Sequence, residues 1–168
     1  MKHLTTLCYI EKDQKYLMLH RVVKKNDINK DKWIGVGGHF EEGESPEDCM
    51  HCEVLEETGL SVTDYRLCGI VTFVSDFGTE KEALEYMFLY HIEGFEGELK
   101  ECDEGILEWY PKNRLKELEI WEGDYLFLKY MEERRPFFSL KLVYVEGSLK
   151  EAVLDGQRLE NLLKWKNK

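Results

Sequence analysis

The sequence lacks any apolar run that approaches the roughly 18 consecutive residues of a membrane-spanning helix. Its first residues also lack the apolar core and the small-residue cleavage site of a secretory signal. The five cysteines are odd in number and scattered along the chain, which argues against a disulfide framework. We therefore expect a soluble, cytoplasmic protein with free thiols and no membrane partner.

Basic residues are too few to offset the acidic ones: 23 lysines and arginines stand against 34 aspartates and glutamates, and the formal net charge is -11. Such a surface repels a phosphate backbone, which argues against long nucleic acid as a partner. A small phosphorylated ligand is still compatible with acidic side chains, because a divalent cation can bridge protein carboxylates to phosphate oxygens.

No internal repeat, low-complexity segment or linker is evident, so we expect a single domain over residues 1–168. Apolar, β-branched and aromatic segments predict strands, and capped or periodic segments predict helices among them, which together indicate an α/β layered fold. The predicted strands are Leu4–Ile10, Lys15–Val23, Arg66–Ser75, Leu84–Glu93, Leu107–Tyr110 and Phe137–Val145. The predicted helical segments are Pro46–Thr58, Pro111–Leu118 and Asp124–Arg134.

The C-terminal segment Gly147–Lys168 has a weaker pattern, because Gly156 interrupts it. Leu159, Leu162 and Leu163 nevertheless suggest a closing helix. Such a helix either caps the domain or forms a surface for pairing with another chain, and the sequence leaves both roles open.

The helix predicted at Pro46–Thr58 is marked at both ends. Ser45 is a good N-cap, Pro46 suits the first helical position, and Asp48 lies where a capping-box acid belongs. Gly59 can supply the left-handed residue that ends the helix. The helix bounds are therefore fixed by local signals.

Three carboxylates lie on one face of this helix, because Glu53, Glu56 and Glu57 have the spacing i, i+3, i+4. A glutamate-rich helix face is usually only a solvated surface. Here, however, no lysine or arginine occurs between Phe40 and Tyr65 to offset the repulsion. A cluster of oxygen ligands suits magnesium or manganese rather than zinc, so we expect a divalent cation at this face.

The stretch GHFEEGESPEDCMHCEVLEETGL resembles the Nudix box, whose pattern is Gly, five residues, Glu, seven residues, Arg-Glu, an aliphatic, any residue, Glu-Glu, any residue, Gly and an aliphatic. The arginine of the pattern is replaced by Cys52. In the family this arginine pairs with box glutamates and orients them, so its loss should loosen the site. The positions that meet the pattern are Gly38, Glu44, Glu53, Val54, Glu56, Glu57, Gly59 and Leu60.

The resemblance implies a Nudix α/β/α sandwich with a mixed β-sheet, and magnesium or manganese as the cofactor. It also implies roles for individual residues. The implied metal ligands are the Gly37 carbonyl oxygen, Glu53, Glu56, Glu57 and Glu104. The implied catalytic residues are Glu53, Glu56, Glu57 and Glu104, with Glu101 and Glu108 as nearby alternatives to Glu104. The implied substrate-binding residues are Arg21, Gly38, His39, Trp121 and Asp124.

The chain looks closest to the MutT-like branch of the family, which hydrolyses oxidised purine nucleoside triphosphates such as 8-oxo-dGTP. In the branch, a tryptophan and an acid contact the base, and these would be Trp121 and Asp124. Trp121 could equally be a core aromatic, and Ile34 stands where some members carry a polar base-contacting residue.

The alternative substrates are ADP-ribose and dinucleoside polyphosphates. Cys52 raises a further alternative, a nucleotide-binding module with weakened catalysis.

Overall fold

The computed structural model describes residues 2–22 and 27–160. Within these ranges it contains nine strands, two α-helices and one 3₁₀ helix. The elements in chain order are β1 (Lys2–Lys12), β2 (Lys15–His20), β3 (Trp33–Ile34), α1 (Pro46–Thr58), β4 (Ser61–Ser75), β5 (Ala83–Glu96), β6 (Ile106–Pro111), the 3₁₀ helix (Lys112–Glu117), α2 (Asp124–Glu132), β7 (Phe138–Val145), β8 (Ser148–Leu154) and β9 (Gln157–Arg158).

The strands form a mixed sheet, as the family resemblance implies. Its main part runs in the order β1-β5-β4-β7-β8-β9, in which β1 is parallel to β5 and β4 is parallel to β7, while the other neighbours are antiparallel. A smaller antiparallel part consists of β2 between β3 and β6. The strands of the two parts pair where β1 turns into β2, and they diverge beyond that hairpin.

The gap left by this divergence is filled by the glycine-rich loop that follows β3. The backbone N–H of Cys8 donates to the Val36 carbonyl oxygen at 2.6 Å, and that of Thr6 donates to the Gly38 carbonyl oxygen at 2.9 Å. Gly37 has a φ of 152°, and any β-carbon there would collide with the carbonyl oxygen of Thr6. Only glycine lets the loop lie this close to β1.

The sheet separates two hydrophobic cores, and alternate side chains of β1 enter each of them. On one face, Cys8 packs with Met50 and Val54 of α1. On the other face, Tyr9 packs with Phe127 of α2, and their ring centroids are 5.8 Å apart. One helix therefore covers each face, which confirms the α/β/α sandwich.

Helix α1 spans the predicted residues and has the predicted caps. The side chain of Ser45 accepts from the Asp48 backbone N–H at 3.1 Å, and the Asp48 carboxylate accepts from the Ser45 N–H at 2.9 Å. At the other end, Gly59 has a φ of 81° and its N–H donates to the Leu55 carbonyl oxygen. All five cysteines of the chain are free, as expected.

The closing helix predicted for the C-terminal segment is wrong over the part that the structure describes. Strand β8 pairs with β7 and then with β9 through two tight turns, at Glu146-Gly147 and Asp155-Gly156. Both residues of each turn have positive φ, as a two-residue hairpin requires. Leu162 and Leu163 lie outside the described residues. No helix within residues 2–22 and 27–160 is long and apolar enough to cross a membrane.

Candidate active site

The carboxylates of α1 lie directly beneath the glycine-rich loop. Glu57 is buried, and its Oε2 accepts a hydrogen bond from the Gly37 N–H at 3.0 Å. Glu53 is half-buried, and a β-carbon at Gly38 would collide with its carboxylate. The loop and the helix therefore fit together only because both loop positions are glycine.

The charge in this region is poorly compensated. Burial, together with the neighbouring carboxylates of Glu56 and Glu104, raises the pKa of Glu53 to about 7. Burial also raises the pKa of Glu57, although the hydrogen bond from Gly37 opposes that shift. A divalent cation would relieve both desolvation and repulsion, so the donor set fits a hard cation that prefers oxygen ligands.

Glu104 is held by an ion-pair chain that the sequence does not reveal. Arg21, just past the end of β2, places Nη1 2.7 Å from Glu104 Oε2 and Nε 2.7 Å from Asp27 Oδ2. Arg21 was predicted to bind phosphate, but in the structure its guanidinium is shared by two carboxylates. Asp27 lies in a polar loop without any local motif, which is why sequence reasoning missed it.

Cys52 occupies the position of the family's arginine and partly takes its place. Its Sγ donates to Glu56 Oε1 at 3.4 Å. This hydrogen bond is the main cause of the raised pKa of Cys52, about 11, so the thiol stays protonated. Cys49 Sγ donates to the Gly38 carbonyl oxygen at 3.5 Å, and burial raises its pKa to about 11. Neither cysteine is a reactive thiolate.

As they stand, the carboxylates are turned towards protein donors. Glu56, Glu57 and Glu104 accept from Cys52, the Gly37 N–H and Arg21 respectively. Consistently, no three His, Cys, Asp or Glu side chains of residues 2–22 and 27–160 converge as a ready-made metal site.

One cleft of about 680 Å³ brings together most of the residues that were predicted from sequence. Glu57, Glu101 and Glu108 are not part of its lining. We call the part lined by Glu53, Glu56 and Glu104, together with the adjoining Glu57, the carboxylate end, and the part lined by Trp121 and Asp124 the aromatic end. The predicted residues that line the cleft are Arg21, Gly37, Gly38, His39, Glu53, Glu56, Glu104, Trp121 and Asp124.

At the aromatic end, Trp121 serves both as a core residue and as a wall of the cleft. Its side chain is buried, and its ring contacts Phe73 and Tyr144 edge to face, with centroid distances of 5.2 and 4.9 Å. The indole N–H donates to Asn29 Oδ1 at 2.7 Å. Lys32 Nζ lies 5.1 Å from the centre of the ring. Asn29 and Lys32 were not predicted, because they lie in the irregular segment before β3.

Asp124 begins α2 and is buried at the aromatic end. Burial raises its pKa to about 8, and the charge of Lys32 opposes this shift. A carboxyl group that keeps its proton can donate one hydrogen bond and accept another.

His39 lies at the rim of the cleft, where its ring contacts the ring of His3 at a centroid distance of 4.9 Å.

A mixed sheet between two helices, with helix glutamates facing a glycine-rich loop, is the architecture of the Nudix fold. The family model described as "NUDIX domain" matches residues 1–131, and the chain therefore belongs to the Nudix hydrolases. The family resemblance stated from the box is thus confirmed, and so is the assignment as a hydrolase.

Named relatives agree with this assignment. The chain is 30% identical over 127 residues to the uncharacterized Nudix hydrolase YvcI of Bacillus subtilis, covering 75% of this chain and 77% of that protein. It is 30% identical over 115 residues to the oxidized purine nucleoside triphosphate hydrolase of Danio rerio, covering 68% and 72%. The crystal structure of a MutT protein from Bacillus halodurans has a TM-score of 0.78 and 28% identity, covering 91% and 97%.

Proposed function

We propose that the protein hydrolyses purine nucleoside triphosphates, oxidised ones included, to the monophosphate and pyrophosphate in a magnesium-dependent reaction. The observation that carries this proposal is the continuity of the cleft, which joins a cluster of carboxylates to a tryptophan and a buried acid. The similarity to the oxidized purine nucleoside triphosphate hydrolase of Danio rerio supports the same substrate class. Such an activity would remove damaged nucleotides from the cytoplasmic pool.

The carboxylate end supplies the oxygen atoms for the cation. Glu53, Glu56 and Glu57 would hold it together with the carbonyl oxygen of Gly37, and Glu104 is a further ligand or the base. When bound, magnesium neutralises phosphate charge and lowers the pKa of a coordinated water. Manganese prefers the same oxygen donors and would serve as well.

The reaction requires a water oxygen to form a bond with phosphorus as the bond to the leaving pyrophosphate breaks. The water proton passes to a carboxylate, for which Glu104 is the candidate, since Arg21 fixes it at the cleft wall. His39, at the rim, and the Gly38 backbone would contact phosphate oxygens. Arg21 would contribute positive charge beside the phosphates while it keeps Glu104 in place.

The base would lie at the aromatic end. Trp121 offers a flat wall of the cleft, and a protonated Asp124 offers one donor and one acceptor to a purine edge. Because a purine edge carries both donors and acceptors, a neutral carboxyl suits it better than a carboxylate does.

The test is a turnover assay with 8-oxo-dGTP, dGTP, dATP, dCTP and ADP-ribose, each with magnesium and with excess chelator. We expect purine triphosphates to have the highest specificity constants and chelation to abolish turnover. Full activity in excess chelator would rule out the metal mechanism. A preference for ADP-ribose would show that ADP-ribose, rather than purine triphosphates, is the substrate.

Cys52 favours a second candidate function, a nucleotide-binding module with weakened catalysis. One thiol hydrogen bond to Glu56 replaces the several that an arginine can donate. Calorimetric binding of a purine triphosphate without magnesium-dependent turnover would select this alternative.

A further inference from the structure

A carboxylate on the floor of the cleft has no place in the function proposed above. Glu85 lies on β5 and lines the cleft, where its neighbours across the sheet are His3 on β1 and Phe73 on β4. Its side chain is half-buried, and burial raises the pKa of its carboxyl despite the opposing charge of Arg21. A desolvated acid facing a cleft requires a hydrogen-bonding partner.

Thr5 provides a second polar group on the same floor. It is buried, and it lies on the strand next to Glu85 with its side chain in the cleft lining. Its hydroxyl is close enough to favour the charged form of the Glu85 carboxyl. Even so, its Oγ1 makes no regular hydrogen bond to any residue of the described ranges. A buried hydroxyl that makes no regular hydrogen bond beyond this interaction with Glu85 can still bond to a polar group that arrives with a ligand.

The position of this pair lies between the two ends of the cleft. On one side, Glu85 is within electrostatic reach of Arg21, which holds Glu104 at the carboxylate end. On the other side, its neighbour Phe73 contacts Trp121 at the aromatic end. If phosphates and base occupy the two ends, the sugar that links them crosses the floor at Glu85.

The chemistry of Glu85 fits a sugar rather than a phosphate. A carboxylate repels phosphate oxygens but accepts a hydrogen bond from a hydroxyl group. We propose that Glu85, assisted by Thr5, binds a hydroxyl group of the substrate's sugar and acts as a specificity-determining residue for it. This proposal rests on the function proposed above, because it takes a nucleotide spanning both ends as the ligand.

The test measures binding rather than turnover. The dissociation constants of the α,β-methylene analogues of GTP, dGTP and 2′,3′-dideoxy-GTP are determined by calorimetry with magnesium, for the wild type and for Glu85→Ala. For the wild type we expect removal of the sugar hydroxyls to weaken binding about tenfold, as for one hydrogen bond to a charged group. In Glu85→Ala the analogues should bind within about twofold of one another, because the hydroxyl has lost its partner.

Two further variants sharpen the result. Glu85→Gln keeps an acceptor oxygen and the shape of the side chain, so it should retain part of the tenfold difference. Thr5→Val replaces only the hydroxyl, and it should reduce the difference in affinity between the sugar analogues by less than Glu85→Ala does. The matched control is Glu41→Ala, an exposed carboxylate of the same cleft, which should shift all three affinities alike.

The outcomes separate this proposal from the one on which it rests. Unchanged affinity ratios in Glu85→Ala and Glu85→Gln would overturn the role of Glu85 and leave the proposed function intact. Glu85→Ala could instead change the ratio of affinities for guanosine and inosine analogues and leave the ratio between the sugar analogues unchanged. That result would assign Glu85 to base recognition and would also overturn its role at the sugar. If the wild type bound none of the analogues, the proposed function itself would fail, and the sugar site with it.

Discussion

The two ends of the cleft both contain carboxyl groups with raised pKa values, but for different reasons. At the carboxylate end, burial and the neighbouring acids together raise the pKa of Glu53. At the aromatic end, burial alone raises the pKa of Asp124, while a cation, Lys32, opposes it. The first end carries excess negative charge that suits a cation, whereas the second offers a neutral carboxyl that suits a base edge.

The largest expected effect tests the carboxylate end. Glu53→Gln and Glu57→Gln should each lower kcat/KM by about 10²-fold, roughly 2.7 kcal/mol of barrier, since each removes a charge that would hold the cation. Stability should not fall, because repulsion on one helix face is relieved. Magnesium-dependent rates at equal folded concentration, with Glu47→Gln on the same helix as the control, provide the measurement.

Wild-type rates in both glutamine variants would show that the glutamate face of α1 is only a charged surface. That result would also remove the difference in function between the two ends, because the excess negative charge at the carboxylate end would then play no part in catalysis.

The next effect concerns stability and pH at the aromatic end. Folding raises the pKa of Asp124 from 3.8 to about 8, so between these values the folded protein binds more protons than the unfolded chain does. The contribution of Asp124 to stability is therefore full below pH 3.8 and lost as pH rises through about 8. Asp124→Asn should remove this loss and be more stable than the wild type at alkaline pH by about 2 kcal/mol.

Urea unfolding at pH 5 and pH 9 checks this prediction, with Glu80→Gln, an exposed loop acid, as the control for net charge. If the difference in unfolding free energy between the wild type and Asp124→Asn were the same at both values, Asp124 would not be a neutral acid in the folded protein.

A smaller effect tests substrate selection at the same end. Asp124→Ala should reduce the preference for purine over pyrimidine triphosphates by about tenfold, the loss expected for a group that hydrogen-bonds the base. Rates on each substrate should keep their magnesium dependence, because the carboxylate end is untouched. An unchanged ranking of substrates would remove Asp124 from the base site.

The smallest effect restores the family pattern in the box. Cys52→Arg should raise turnover by about two- to fivefold, because an arginine can form a stronger, bidentate pair with Glu56 four residues later than the present thiol does. Cys52→Ala serves as the matched control and should not raise the rate. A fall in rate with arginine alone would contradict the orienting role, and would show that the thiol contact suits this active site better.

Much of the fold could be predicted because its signals are local. The bounds of α1 follow from Ser45, Asp48 and Gly59, which act within one helical turn of its ends. The hairpins at the C-terminus also had a local signal in Asp155-Gly156, a dipeptide that favours such turns. The predicted closing helix is wrong there because this turn, rather than the leucine spacing after it, decides the local structure.

The site could be predicted only in part. The box glutamates and glycines are recognisable because their spacing on one helix places them together. Asp27, Asn29 and Glu85 carry no comparable pattern, since each lies in a loop or strand where many acids and amides are simply solvated. Their importance depends on what the fold places beside them.

The sequence by itself determined the helix that carries Glu53 and Glu57, the family, and the chemistry that clustered carboxylates permit. Only the tertiary structure decided what shares the cleft with them. Arg21 and Glu104 are 83 positions apart, and Asn29 and Trp121 are 92 apart, yet both pairs are joined by side-chain hydrogen bonds. Helix caps form between residues a few positions apart, whereas these contacts depend on the assembled sheet, because its strand order brings segments that are distant in sequence close together.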